Sequence, residues 1–201
     1  MQVVLDPFPH CIIDNAWDDA LLDDVVSEFP DGDDPRWKRW RNEREFKDEG
    51  SDPSMWGPAT KDLIGTLLGD LWQAKMAEVF DLPDIFGATL GGGYHSIPTG
   101  GYLAVHTDFN RHPTSRLYRR INCLVFLNRG WRPEWGGVLE LDAVAVEPLF
   151  NRTAIFATSD VSWHGHPQPW AGPAPRRSVA VYYYSSEPPP GYGCEHDTRW
   201  R

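Results

Sequence analysis

Tyr102-Leu103-Ala104-Val105-His106-Thr107-Asp108-Phe109 is a short run that opens after the pair Gly100-Gly101. Its texture is repeated from residue 85 onward. Ala88 to Ile97, Arg120 to Leu127, Val138 to Leu141, Thr153 to Ala157 and Arg177 to Ser185 are all short apolar or alternating runs, set off by Gly, Pro and Asn. Many short strands with turn punctuation predict an antiparallel sandwich or barrel. Upstream the period changes. After Trp17 the apolar residues Leu21, Leu22, Val25, Val26 and Phe29 make a helical stripe, with Asp14 or Asn15 as cap and Pro30-Asp31-Gly32 as stop. A second helix is expected from about Thr60 to Phe80, with Leu63, Ile64, Leu67, Leu68, Leu71, Trp72, Met76, Val79 and Phe80 on one face. Asp31 to Pro58 is polar and Trp-rich and shows no clear period. The expected organisation is one mostly β domain with N-terminal helices. Residues 1–85 would be mainly helical support, 86–187 the β core and 188–201 a loosely packed Pro- and Gly-rich tail.

Composition narrows the function. The chain has 201 residues, enough for one domain with a sizeable core, and 41% of them are hydrophobic. A formal charge of -10 argues against general nucleic-acid binding, which needs an excess of Lys and Arg. The basic run Arg36-Trp37-Lys38-Arg39-Trp40-Arg41 reads as a solvated loop. Three widely spaced cysteines, Cys11, Cys123 and Cys194, predict no disulfide and form no zinc knuckle. Met1 to His10 lacks the basic start and apolar run of a signal peptide, and nothing approaches a membrane span. A cytoplasmic protein is expected. Gly91-Gly92-Gly93 is no phosphate loop, because no Lys-Ser/Thr follows; a turn or bulge fits better.

The chemistry starts at His106-Thr107-Asp108. Residues two apart on a strand point to one side, so this His and Asp can grip one cation together. A third ligand must come from elsewhere, and Trp163-His164-Gly165-His166-Pro167 offers His164 or His166. Two imidazoles and one carboxylate on one face of an octahedral ion leave three positions open, as in non-haem Fe(II) oxygenases. Downstream lies Arg176-Arg177, where a guanidinium could clamp a carboxylate through two hydrogen bonds. Arg177 would share a strand face with Val179, Val181 and Tyr183, and Arg176 the other with Ser178 and Ala180. A lone Arg facing an apolar interior needs an anionic partner.

Several longer stretches then carry a family resemblance. They are Gly100 to Asp108, Arg120-Ile121-Asn122-Cys123-Leu124-Val125-Phe126-Leu127-Asn128, Trp135-Gly136-Gly137-Val138-Leu139-Glu140-Leu141, Phe150-Asn151-Arg152, Trp163 to Pro167, and Arg177-Ser178-Val179-Ala180-Val181-Tyr182-Tyr183-Tyr184. Pro7-Phe8-Pro9-His10 and Glu28-Phe29-Pro30 add to it less specifically. Together they resemble the prolyl 4-hydroxylase-like branch of the 2-oxoglutarate/Fe(II) oxygenases. The resemblance implies a double-stranded β-helix, or jelly-roll, core with the metal at its open end. It implies His106, Asp108 and His164 as metal ligands, with His166 as the rival distal ligand. It implies Arg177, rather than Arg176, on the C5 carboxylate of 2-oxoglutarate. His95, where relatives often carry a cosubstrate-reaching Tyr, and Asn122 are further candidate cosubstrate contacts. Phe126 departs from the pattern, since many relatives carry Tyr there. The cofactors implied are Fe(II), 2-oxoglutarate and O2, and the implied reaction hydroxylates an unactivated C–H with release of succinate and CO2. Related halogenases usually lack the carboxylate that Asp108 supplies, so hydroxylation is favoured. The expected substrate is a small molecule such as an amino acid. A prolyl or other residue in a protein is the alternative, with no nucleic acid or membrane partner expected. A reading from another class is a non-catalytic metal-binding cupin or ligand-binding jelly roll.

Overall fold

The computed structural model describes residues 1–190 and 192–201. Among the described residues, twelve strands and three α-helices occur in the order β1 (His10–Asp14), α1 (Asp19–Ser27), β2 (Lys38–Arg41), β3 (Glu45–Gly50), α2 (Pro58–Leu68), α3 (Asp70–Phe80), β4 (Phe86–Ile97), β5 (Tyr102–Thr107), β6 (Tyr118–Phe126), β7 (Leu139–Leu141), β8 (Val144–Val146), β9 (Arg152–Ala157), β10 (His164–His166), β11 (Arg176–Ser185) and β12 (Arg199–Trp200). All pairings among the strands are antiparallel. They run β1-β9-β6-β11-β4-β3-β5-β10-β7-β8, with β2 on β3 and β12 on β5. The sheet curls into the jelly roll that the sequence implied.

Its two faces do different work. Leu22, Val25, Leu63, Ile64, Leu67 and Met76 of the helices pack on Ile121, Cys123 and Val125 of β6 and on Val179, Val181 and Tyr183 of β11. Burying these side chains drives the helices onto the sheet. The alternate residues, Leu124, Phe126, Ser178, Ala180, Tyr182 and Tyr184, are left on the inner face.

The N-terminal part is less helical than expected. Residues 1–85 include β1 at one end of the sheet, and the Trp-rich stretch forms the hairpin β2–β3, with β3 bridging β4 and β5. The second helix is two helices. Gly69 adopts an extended conformation (ψ 155°) between α2 and α3, and a glycine inside a continuous helix would cost about 1 kcal/mol relative to alanine. Asp18, not Asp14 or Asn15, caps α1, its Oδ1 accepting from Ala20 and Leu21. Glu28, just past α1, accepts from the free amides of Ala59 and Thr60 at 2.8 Å each and so ties α2 to α1. The expected loose tail is also corrected, since β12 pairs with β5.

Among the described residues no helix is long and apolar enough to cross a membrane. All three cysteines are free; Cys11 and Cys123 are buried and Cys194 exposed. Burial pushes both buried thiols up, most strongly Cys123. Thiol titration without reductant should therefore detect Cys194 alone in native protein and three thiols after denaturation. A denatured count of one would reveal a disulfide.

Candidate functional site

His106 is the penultimate residue of β5, Asp108 comes just after the strand, and His164 opens β10, which lies beside β5 with His164 opposite His106. One ligand atom from each of the three lies within 4.8 Å of the others. His106 Nε2 stands 3.8 Å from Asp108 Oδ1, and His164 Nε2 stands 3.5 Å from Asp108 Oδ2. The backbone orients both rings. His106 Nδ1 donates to Ala104 O at 2.9 Å and His164 Nδ1 to Ser162 O at 2.8 Å. That bond selects the Nδ1–H tautomer and leaves each Nε2 lone pair facing the carboxylate. Burial keeps both rings neutral, His106 down to about 3. Two neutral imidazoles and a carboxylate are a donor set that fits Fe(II).

Asp108 is itself held. Burial works against its charge, but the Arg119 guanidinium at 3.4 Å and the Asn122 amide, donating at 2.8 Å, hold its carboxyl below the usual carboxylate range. Asn122 Oδ1 also accepts from Arg119 Nε at 2.8 Å. Asn122 was expected to face a cosubstrate. It lines the cavity, yet its amide is committed to Asp108 and Arg119. Arg119 reaches the interior because pairing of β6 with β11 shifts by a residue between Tyr183 and Tyr184, a bulge at Arg120. Arg119 then stacks on Tyr182 at 3.6 Å.

The cluster stands in a cavity of about 560 Å³ between the β2–β3 hairpin, β4, β5, β10 and β11. Arg176 lines it and Arg177 does not. This corrects the expected side for Arg177. The apolar face of β11, with Val179, Val181 and Tyr183, is the helix-packed face and not the barrel interior. Arg177 therefore points at α1, its Nη1 donating to Val26 O at 3.2 Å and its guanidinium over Phe29. Arg176 is only 4% exposed and stacks over Phe126. It donates through Nε to Gly137 O at 2.7 Å, and no carboxylate among the described residues pairs with it. Burial lowers it to about 9. His166 lines the same cavity, and its buried Nδ1 has no hydrogen-bond partner. An unpaired buried guanidinium and an unpartnered imidazole nitrogen are what an anionic ligand with polar oxygens would satisfy.

His95 lines the cavity too, with Tyr182 Oη 3.4 Å from its Nε2. Burial pushes it down to about 4, despite Glu49 nearby. The hairpin adds Lys38, Trp40, Glu45, Lys47 and Glu49 to the wall. Lys47 pairs with Glu45 at 2.9 Å, and both side chains are largely buried. Sequence reading missed Lys47, in a stretch without period, and Arg119, which only the bulge turns inward.

These buried neutral imidazoles predict acid sensitivity of the metal-free fold. An unfolded histidine binds its proton near 6.5. The folded His95 resists until about 4 and His106 until about 3, so unfolding takes up protons below about pH 6.5. Stability should be full above that value and fall as pH drops from 7 toward 4, by at most roughly 1.4 kcal/mol per pH unit for each histidine. The urea midpoint of metal-free protein should decrease across this window. A flat profile would mean the histidines charge in the folded state.

Residues 92–184 match the 2OG-Fe(II) oxygenase superfamily. No curated protein matches the chain. Among solved structures, a Pseudomonas putida prolyl-4-hydroxylase is similar at 18% identity with a TM-score of 0.66, over 90% of this chain and 95% of that one. A Trichoplax adhaerens prolyl hydroxylase, in complex with a hypoxia inducible factor peptide fragment, is similar at 16% identity and a TM-score of 0.63, over 90% and 86%. HygX from Streptomyces hygroscopicus, with nickel and 2-oxoglutarate bound, follows at 14% and 0.58, over 88% and 83%; HygX has also been solved with hygromycin B. The fold is that of these proteins, and the matched segment carries His106, Asp108, His164 and Arg176 in one cavity. Residues 92–184 are thus similar to the 2OG-Fe(II) oxygenase superfamily, on a fold shared with prolyl 4-hydroxylases, and they carry in His106, Asp108 and His164 a donor set that fits Fe(II).

Proposed function

We propose that the protein hydroxylates an unactivated C–H of a small zwitterionic metabolite such as an amino acid. The carrying observation is the part of the cavity lining that the β2–β3 hairpin supplies, which presents both Lys38 and Lys47 and both Glu45 and Glu49 in the same cavity as the triad. Charges of both signs in one small cavity suit a molecule that carries both. His106, Asp108 and His164 would hold Fe(II). Bound there with 2-oxoglutarate and O2, iron would supply the oxidising power for hydroxylation, with succinate and CO2 as co-products. Arg176 would hold the C5 carboxylate of 2-oxoglutarate, with His166 beside it. Asn122 and Arg119 fix the Asp108 carboxylate and keep it ionised. Leu124, Phe156, Ile97 and Leu103 give the cavity its apolar lining. His95 and Tyr182 offer polar atoms on the substrate side.

The second reading, a prolyl residue in a peptide, draws on the Trichoplax enzyme with its bound fragment. The two separate by mass spectrometry. Free amino acids and proline-rich peptides would each be incubated with protein, Fe(II), 2-oxoglutarate and O2. A free amino acid should gain one oxygen atom with one succinate formed per hydroxylation. Oxygen gained only by peptides would reverse the order of the readings.

A further inference from the structure

Residues 192–201 were expected to be loose, yet they run past the triad. On β12, Arg199 lies opposite Thr107 and Trp200 opposite His106, and the Arg201 amide donates to Val105 O at 2.9 Å. On β5, β10 pairs with both His106 and Leu103 and so takes one edge. The other edge is shared: β3 covers Tyr102 and Leu103, and β12 covers His106 and Thr107. The strand edge beside the ligand motif, which β3 leaves open, is thus filled by the chain itself.

The segment is fastened along its length. Asn110 Nδ2 donates to Cys194 O at 2.8 Å, and the His196 amide donates to Asn110 Oδ1 at 3.0 Å. His196 Nε2 meets Asp160 at 2.8 Å, and Arg199 reaches the same carboxylate at 3.7 Å. Arg201 stacks on Trp163 at 4.0 Å and approaches Asp142 at 3.6 Å. These contacts join the loop after Asp108 to the loop that leads into His164. The Trp200 ring lies 5.0 Å from that of His106, whose other neighbour is His164 at 4.4 Å. Asp197, Thr198 and Trp200 line the cavity.

We propose that residues 194–201 are a built-in occupant of the β5 edge, which makes the outer wall of the substrate cavity and restricts the enzyme to compact molecules. An extended peptide that binds by strand addition takes its affinity from main-chain hydrogen bonds to a free edge. Here those bonds are already made internally, and a peptide would have to strip the fastened segment to reach them. The inference rests on reading this cavity as the substrate site.

The test uses the full chain loaded with Fe(II) and 2-oxoglutarate under nitrogen. Hydrogen exchange reads the Arg201 amide, and fluorescence anisotropy reads binding of a labelled ten-residue proline-rich peptide. The Arg201 amide should exchange at least about tenfold more slowly than a free chain, and the peptide should not bind. In the double variant His196→Ala, Arg199→Ala, which removes both ties to Asp160, the protection should drop by about tenfold or more, while the 2-oxoglutarate–iron charge-transfer band shows the variant folded and loaded. Exchange at the free-chain rate in the wild type, peptide binding to the wild type, or full protection in the double variant would each overturn the proposal. Failure of the underlying functional reading looks different: the charge-transfer band would not form at all.

Discussion

Alanine at His106, Asp108 or His164 is expected to abolish iron-dependent succinate formation, whereas alanine at His166 should leave iron bound. The three ligand atoms converge within 4.8 Å, and facial coordination does not survive on two of them. Each imidazole is also oriented by a backbone carbonyl, Ala104 O or Ser162 O. His166 lies two residues beyond His164 and shares its buried character, but it pairs with Leu103 rather than His106 and lines the cavity within reach of the Arg176 charge. Its loss should act on the cosubstrate instead. Equilibrium dialysis with Fe(II) under nitrogen, followed by succinate assay, separates the two effects. Retained iron and turnover in His164→Ala, with loss of both in His166→Ala, would move the third ligand.

Arg176→Ala should weaken 2-oxoglutarate binding by roughly 30-fold or more, because removing the charge-assisted partner of a buried carboxylate costs ~2–5 kcal/mol. Arg176 is buried, without an acidic partner among the described residues, and its charge is already disfavoured by burial. A bound carboxylate relieves that cost, which is why the effect should be large. Arg177→Ala should change binding little, since Arg177 bonds to Val26 O on the helix side; its cost should fall on stability. Titration of 2-oxoglutarate into Fe(II)-loaded protein under nitrogen, followed by the charge-transfer band, gives both constants. Iron affinity should be unchanged in either variant. A large loss in Arg177→Ala with none in Arg176→Ala would mean that the inner and outer faces of β11 have been exchanged.

Alternation and turn punctuation made β4, β5, β6, β7, β9 and β11 legible in the sequence, because each has a contrast between residues two apart or a continuous apolar run. The His106, Asp108 and His164 order was legible for the same reason: residues two apart on extended chain, here the end of β5 and the residue after it, share a face whatever the rest of the fold does. Strands β8, β10 and β12 span two or three residues each, too short to show a period, and β2–β3 carries charges on both faces. They exist because partners elsewhere in the chain complete their hydrogen bonds. The choice between Arg176 and Arg177 was likewise not local. Sequence showed that β11 has one strongly apolar face, but an apolar face can meet either a barrel interior or a layer of helices. Only the packing of Leu22, Val25, Leu63 and Leu67 against Val179, Val181 and Tyr183 assigned that face to the helices and turned Arg176 toward the metal ligands. The sequence by itself determined the strands and the ligand motif through near-neighbour periodicity. The tertiary structure decided which side of each strand is the inside, because that depends on what the other half of the chain buries against it.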